Sequence, residues 1–316
     1  MRDHLEVLTM GRISVDLYPT EVAVHLEDVA MFTKTLGGSP TNVAVAAARH
    51  GRRTAVITRT GQDPFGTYLH RALRSFGVDD GLVSAVPGLC TPVTFCEMFP
   101  PDDFPLFFYR FPTAPDLQIR AEELDLEAIA AADIFWATVT GLCQEPSRTA
   151  TMAALEARGD HGLTVLDLDY RPMFWESAEE AHPHVRSALE HVDVAVGNRE
   201  ECEVAIGERE PDRAAAALLA AGVQLAVVKQ GPAGVLGVRG DESVVVPPVP
   251  VDVVNGLGAG DAFGGAMCHG LLAGWDLERI LRFANAAGAY VAGQFACADA
   301  MPTTGELDAM LQGVSS

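Results

Sequence analysis

Apolar positions along this chain follow two periods, and the two alternate. Short runs rich in Val, Ile, Leu and Thr read as strands: "HLEVLTMGRISVDLYP", "RTAVITRTG", "DIFWATVTG", "LTVLDLDYRP", "VDVAVGN", "LAVVKQG" and "SVVVPPVPV". Most are separated by Ala-, Glu- and Arg-rich stretches with helical spacing. "SPTNVAVAAARHG" is the best punctuated of these, with Ser39 as the expected N-cap, Pro40 at the first helical position and Gly51 at the end. "DPFGTYLHRALRSFGV" is a second helix, ending at Gly77. Strands that alternate with helices predict a mostly parallel sheet with helices on both faces.

Two segments break the rhythm. Residues 17–36 and 90–113, the latter containing "CTPVTFCEMFPPDDFPLFFYR", are strand-like with no helix inside either. They predict a small antiparallel sheet that projects from the body as a lid. No internal repeat, long linker or low-complexity tail divides the 316 residues, so the expectation is a single α/β domain, 1–316, carrying a β lid.

Composition narrows the function classes. Hydrophobic residues make up 48% and charged residues 21%, ordinary for a chain with a substantial core. A net charge of −21 argues against a surface built for nucleic acid or anionic lipid. The start, "MRDHLEVLTMGR", lacks an apolar stretch of signal length, and Asp133, Gly222 and Gln224 interrupt the longest apolar runs. A cytoplasmic location without a membrane partner is the expectation. Six cysteines without a C-x-x-C pair read as buried thiols in a reducing compartment.

Ligands of open α/β sheets collect where strands end, and the unusual residues of this chain lie there: Asp16, Asp63, Arg171, Asn198, Glu201, Gly231 and Asp261. The stretch "VVNGLGAGDAFG" (253–264) feeds a glycine-rich turn into a helix. Gly258, Ala259 and Gly260 are expected to turn N–H groups inward, where the helix dipole adds positive potential. Taken alone, the turn also reads as a plain N-cap with Asp261 as the capping acid. Phe263 occupies the place of the third glycine of a dinucleotide fingerprint, and no phosphate loop of the G-x-x-x-x-G-K-[ST] type occurs.

"GNREECEVAIG" puts Asn198 and Glu201 at capping-box spacing with Gly207 as the stop, a pair equally placed to face a hydrated magnesium ion. "VVKQGPAGV" offers Lys229, Gly231 and Gly234 after a strand, and "LGGSPTNVAVA" offers Gly37, Gly38 and Asn42 at a helix start, where hydroxyls or a carboxylate can dock. Each of these also has an ordinary structural reading.

In their order along essentially the whole chain, "VDLYP", "GGSPTNVA", "GQDPFG", "NREE", "KQGPAG", "GLGAGDAFGG" and "FANAAGA" resemble the ribokinase-like carbohydrate kinases. The resemblance implies ATP and Mg²⁺ as cosubstrate and metal; separately, the apolar strand faces "VTFCEMF" and "LFFY" are expected either to pair two lids in a homodimer or to pack on the lid's own body. The resemblance also implies Asp261 as the base facing the acceptor hydroxyl, with Gly258, Ala259 and Gly260 as the anion hole. Asn198 and Glu201 would lie near the metal, Lys229, Gly231, Gly234 and Asn285 along the nucleotide, and Asp16, Gly37, Gly38 and Asn42 at the substrate. Where the family often has Asp and Thr in its monovalent-cation loop, this chain has Asn255 and Gly256, which leaves K⁺ open.

Within the family, "FPPDDFPLFFYR" and "DLDYRPMFW" resemble the branch that phosphorylates the primary hydroxyl of a six-carbon deoxy keto acid in myo-inositol breakdown. The branch acting on 2-dehydro-3-deoxygluconate is the alternative, and a sensor that has lost turnover is a third reading. Arg110 and Arg171 are the expected fork for the substrate carboxylate, joined on lid closure, with Arg12 a third candidate. Asp261 is taken as an ordinary carboxylate, with a pKa near ~3.9.

Overall fold

The computed structural model of the chain describes residues 4–314. Its ten-stranded sheet runs, edge to edge, Glu242–Val246, Val235–Arg239, Leu225–Lys229, Val194–Asn198, Leu163–Asp167, Ile134–Thr138, Val7–Met10, Thr54–Gly61 and Val78–Asp79, with Val83–Val86 pairing beside the end of Thr54–Gly61. Every pairing is parallel except the two at one edge, where Val235–Arg239 runs antiparallel to both Leu225–Lys229 and Glu242–Val246.

Alternation along the strands builds two cores. Ile134 and Trp136 point to one face with Val7, Val165 and Val194, under the helices Ser39–Arg49, Pro64–Ser75, Ala259–Leu272 and Leu277–Ala292. Phe135 and Ala137 point to the other with Leu8, Leu166 and Ala195, under helices that include Ser147–Arg158, Ala178–Leu189 and Pro211–Ala220. Helices Ala259–Leu272 and Ser39–Arg49 approach so closely that a Cβ on Gly265 would lie 2.3 Å from the Ala46 Cβ. That contact sets the spacing of the two helix starts that matter below.

A second sheet of four strands, in the order Phe32–Gly37, Ser14–Pro19, Val93–Cys96, Leu106–Tyr109, forms the lid. It is mixed rather than purely antiparallel, because Ser14–Pro19 and Val93–Cys96 run in the same direction. The physical reason is the route. Between those two strands the chain passes through the body, and a strand returning by a crossover arrives parallel.

The opening apolar run is likewise two strands, one in each sheet. Asp16 therefore sits inside a lid strand and not in a loop after a body strand. Both strands are largely buried, and only Gly11, Arg12 and Ile13 separate them, too short a break to show from sequence that the chain changes sheet. The first helix also starts differently from its expected cap. Gly38, with φ 104°, is the N-cap and Ser39 is already helical, while Gly51 follows the last turn as expected.

Candidate active site

Two helix N-termini converge at the carboxyl ends of the central strands. The turn before helix Ala259–Leu272 needs a left-handed residue, and Gly258 supplies it with φ 80°. A side chain there would also meet the Cys297 Sγ at 2.7 Å. Ala259, Gly260 and Asp261 are the first three helical residues. Of the expected trio Gly258, Ala259 and Gly260, only Gly258 has positive φ, so the expected anion hole is not a strained glycine turn. It is the first turn of a helix, whose N–H groups have no acceptor within the helix.

Asp261 occupies the third helical position, and its Oδ2 accepts a hydrogen bond from Asn42 Nδ2 at 2.8 Å. Burial raises its pKa to about 6, with the Asn42 hydrogen bond pulling in the opposite direction. The ordinary carboxylate expected from sequence is thus a stronger base, still mostly ionised at neutral pH. Asn42 Oδ1 is buried without a partner, leaving an acceptor beside the carboxylate.

These groups open onto a cavity of about 60 Å³ between lid and body. That is small beside the usual range for small-molecule sites. Its polar side carries Arg12, Asp16, Asn42, Arg171 and Asp261. Asp16 accepts from Ser14 Oγ at 2.6 Å, and burial raises its pKa. Gly37 makes room for it, since a Cβ there would lie 2.0 Å from Asp16 Oδ2. Gly38 lines the cavity beside it.

The cations are arranged differently from expectation. Arg171 lines the cavity, but Arg110 does not: its Nη2 pairs with Asp116 at 2.8 Å in a buried salt bridge, and its guanidinium sits 4.7 Å from the Phe174 ring centre. Arg12, the third candidate, holds the cavity position instead and is 7% exposed. It follows the central strand Val7–Met10 much as Arg171 follows Leu163–Asp167, and that parallel was the available signal.

Asp169, from "DLDYRP", lies between the two arginines, 2.6 Å from Arg171 Nη2 and 3.6 Å from Arg12 Nη2. Burial alone would raise its pKa; Arg171 and Arg12 outweigh that and hold it low. The Nε atoms of Arg12 and Arg171 are both buried without a hydrogen-bond partner. Two guanidinium groups lining one cavity are a cradle for an anion.

Asn198 and Glu201 form the capping box that their spacing predicts. Asn198 Oδ1 accepts from the Glu201 N–H at 2.9 Å, and Glu201 Oε2 accepts from the Asn198 N–H at 2.7 Å. Glu201 Oε1 stays 3.8 Å from Arg171 Nη1, and Asn198, Glu201 and Arg171 together line an adjoining groove. Among the described residues no cluster of three or more His, Cys, Asp or Glu is placed to hold a metal. One buried carboxylate beside an open groove suits Mg²⁺ that is held mainly by phosphate oxygens and water.

Lys229 ends its strand with its Nζ 3.4 Å from where a Cβ on Gly260 would stand, next to the helix start. Burial works against its charge, but Asp167, Glu201 and Asp261 outweigh burial and raise its pKa. Asp167, not singled out from the sequence, is itself pushed up by burial. Gly231 and Gly234, both at positive φ, shape the turn after Lys229. Asn285 ties helix Leu277–Ala292 to the Pro247 carbonyl at 2.7 Å, closing the same side of the body. None of these four lines the cavity between lid and body.

At the monovalent-cation position Asn255 is fully buried, and both ends of its amide are engaged. Oδ1 accepts from the Leu257 N–H at 3.0 Å and Nδ2 donates to the Phe295 carbonyl at 3.4 Å. A neutral amide donating to a carbonyl does not fit a K⁺ site.

Comparison with known proteins bears on the fold and the family. A solved fructokinase with bound ATP from Xylella fastidiosa superposes with a TM-score of 0.86 at 25% identity, covering 98% of this chain and 99% of that one. A putative ribokinase II from E. coli, solved with ATP and Mg²⁺, shares the fold at a TM-score of 0.89 and 24% identity, covering 98% and 99%. The 5-dehydro-2-deoxygluconokinase of Geobacillus thermodenitrificans is 31% identical over 319 residues, 99% of this chain and 94% of that protein. The model of the pfkB family of carbohydrate kinases matches residues 5–304, and the chain belongs to that family.

Proposed function

We propose that the chain transfers the γ-phosphoryl group of ATP to the primary hydroxyl of 5-dehydro-2-deoxygluconate, giving the 6-phosphate and ADP. The observation that carries this reading is the cavity's polarity. A buried base and a helix start stand at one place, and the guanidinium groups of Arg12 and Arg171 stand at another. A substrate carrying both an alcohol and a carboxylate satisfies both. The 31% identical relative is named for a kinase of such an acid.

Asp261 accepts the hydroxyl proton as that oxygen attacks the γ-phosphorus, and the bond to the β-phosphate oxygen breaks to release ADP. Asn42 holds Asp261 in position through its 2.8 Å hydrogen bond. The first-turn N–H groups from Ala259 onward and the Lys229 ammonium face the charge that builds on the transferring group. One oxyanion-hole donor of this type is worth about 3–4 kcal/mol. When bound, Mg²⁺ neutralises the triphosphate, with Glu201 and Asn198 as the residues beside it. Arg12 and Arg171, fixed by Asp169, receive the carboxylate, and Asp16 and Asn42 Oδ1 receive hydroxyls. The lid excludes water, so ATP is not hydrolysed in place of transfer.

Phe107, Tyr109 and Phe111 are 41%, 65% and 86% exposed on the lid's outer side, and this apolar face supports pairing of two lids in a homodimer. All six cysteines are free and no helix of the described residues is long and apolar enough to cross a membrane, which supports a cytoplasmic enzyme. The test is an ADP-release assay over 5-dehydro-2-deoxygluconate, 2-dehydro-3-deoxygluconate, fructose and ribose. Highest kcat/KM on the first is expected; a neutral sugar as best substrate overturns the carboxylate argument.

A further inference from the structure

One wall of the cavity is apolar, and the Thr94 hydroxyl beside it, opposite Phe108 in the lid, is engaged by Asp16. Tyr18, Leu106, Leu257 and Cys297 line this wall and belong to one packed apolar cluster beneath the lid. The polar atoms within that cluster are occupied: the Tyr18 hydroxyl and the Cys297 thiol bond each other at 2.6 Å, and the Leu257 N–H donates to Asn255. Phe108 extends this wall along the lid strand Leu106–Tyr109, where alternation turns Leu106 and Phe108 inward and leaves Phe107 and Tyr109 exposed. The Arg12 guanidinium lies 5.4 Å from the Phe108 ring centre. A carboxylate held by Arg12 thus brings its neighbouring carbon against Phe108 and Leu106.

We propose that Leu106 and Phe108 are specificity-determining residues that select a methylene at the carbon next to the substrate carboxylate and reject a hydroxyl there. The inference rests on the proposed reaction and deepens it. A CH₂ group buries against the wall without loss, whereas a hydroxyl at the same carbon gives up its water and finds no partner. Apolar pockets reject an added hydroxyl by about 100-fold, which sets the expected scale.

The test compares kcat/KM for 5-dehydro-2-deoxygluconate and for 5-dehydrogluconate, which differs only by a hydroxyl on that carbon. The wild type is expected to favour the deoxy acid by about 100-fold. Leu106→Ser should reduce the preference roughly tenfold by offering a partner, while Leu106→Ile should keep it, both with the wild-type KM for ATP. Equal use of the two acids by the wild type overturns the wall assignment and leaves the proposed reaction standing, whatever the variants do. An unchanged preference in a folded Leu106→Ser enzyme also overturns it. Turnover of neither acid, with a neutral sugar accepted, refutes the proposed reaction itself.

Discussion

Replacing Asp261 by Asn keeps the side chain's size and removes its basicity, and the structure gives that change two opposite signs. Burial lifts the Asp261 pKa to about 6 from an ordinary value of 3.8. Phosphoryl transfer loses its proton acceptor, and general-base assistance is worth about 10²–10⁴-fold, so kcat should fall by at least about 100-fold while ATP binding is retained. Stability should move the other way. A carboxylate whose pKa is raised by folding penalises the native state above the folded value, and the penalty vanishes below the unfolded one. A shift of about two units corresponds to up to about 3 kcal/mol, reduced by whatever solvent reaches the group. Asp261→Asn should therefore melt higher than wild type at pH 7, with the gap closing between pH 6 and pH 4.

The assay is coupled ADP release against pH, with thermal melts of both proteins over the same range. For wild type, kcat/KM should fall about tenfold per unit below pH ~6 as the base protonates, and the residual rate of the variant should be flat there. Turnover of the variant within about threefold of wild type, or a wild-type profile flat down to pH 5, refutes the assignment of Asp261 as base.

Other outcomes follow from the same geometry. Arg12→Ala and Arg171→Ala should each raise KM for the acid by about 10–100-fold, the scale of a charged hydrogen bond, with KM for ATP unchanged; Arg110→Ala should mainly lower the melting temperature, because its buried partner Asp116 loses its cation. Lys229→Met should lower kcat far more than it changes KM for the acid, because the ammonium stands beside Gly260 and not among the residues lining the sugar cavity; an equal rise in KM for the acid would show otherwise. Exchanging K⁺ for Na⁺ should leave initial rates unchanged, since the Asn255 amide is already engaged at both ends. Strong K⁺ activation would contradict that.

What the sequence determined by itself was everything set by local spacing. The alternation of strand and helix dictated a mostly parallel sheet with two buried faces, because each element buries its own apolar positions wherever the neighbours lie. Residues 258–261 fixed a helix start with an acid in its first turn, and Asn198 with Glu201 fixed a capping box, because both depend on backbone groups a few residues apart. Which groups share a cavity was decided only by the tertiary structure. Arg110 and Arg12 look alike as isolated basic residues after strands; one is buried against Asp116 away from the cavity, while the other lines the cavity beneath the lid. The raised pKa of Asp261, the parallel strand pair in the lid and the apolar wall around Tyr18 and Cys297, 279 positions apart, arise from long-range packing. Their physical cause is the exclusion of water between segments that are remote along the chain, and no local pattern encodes that.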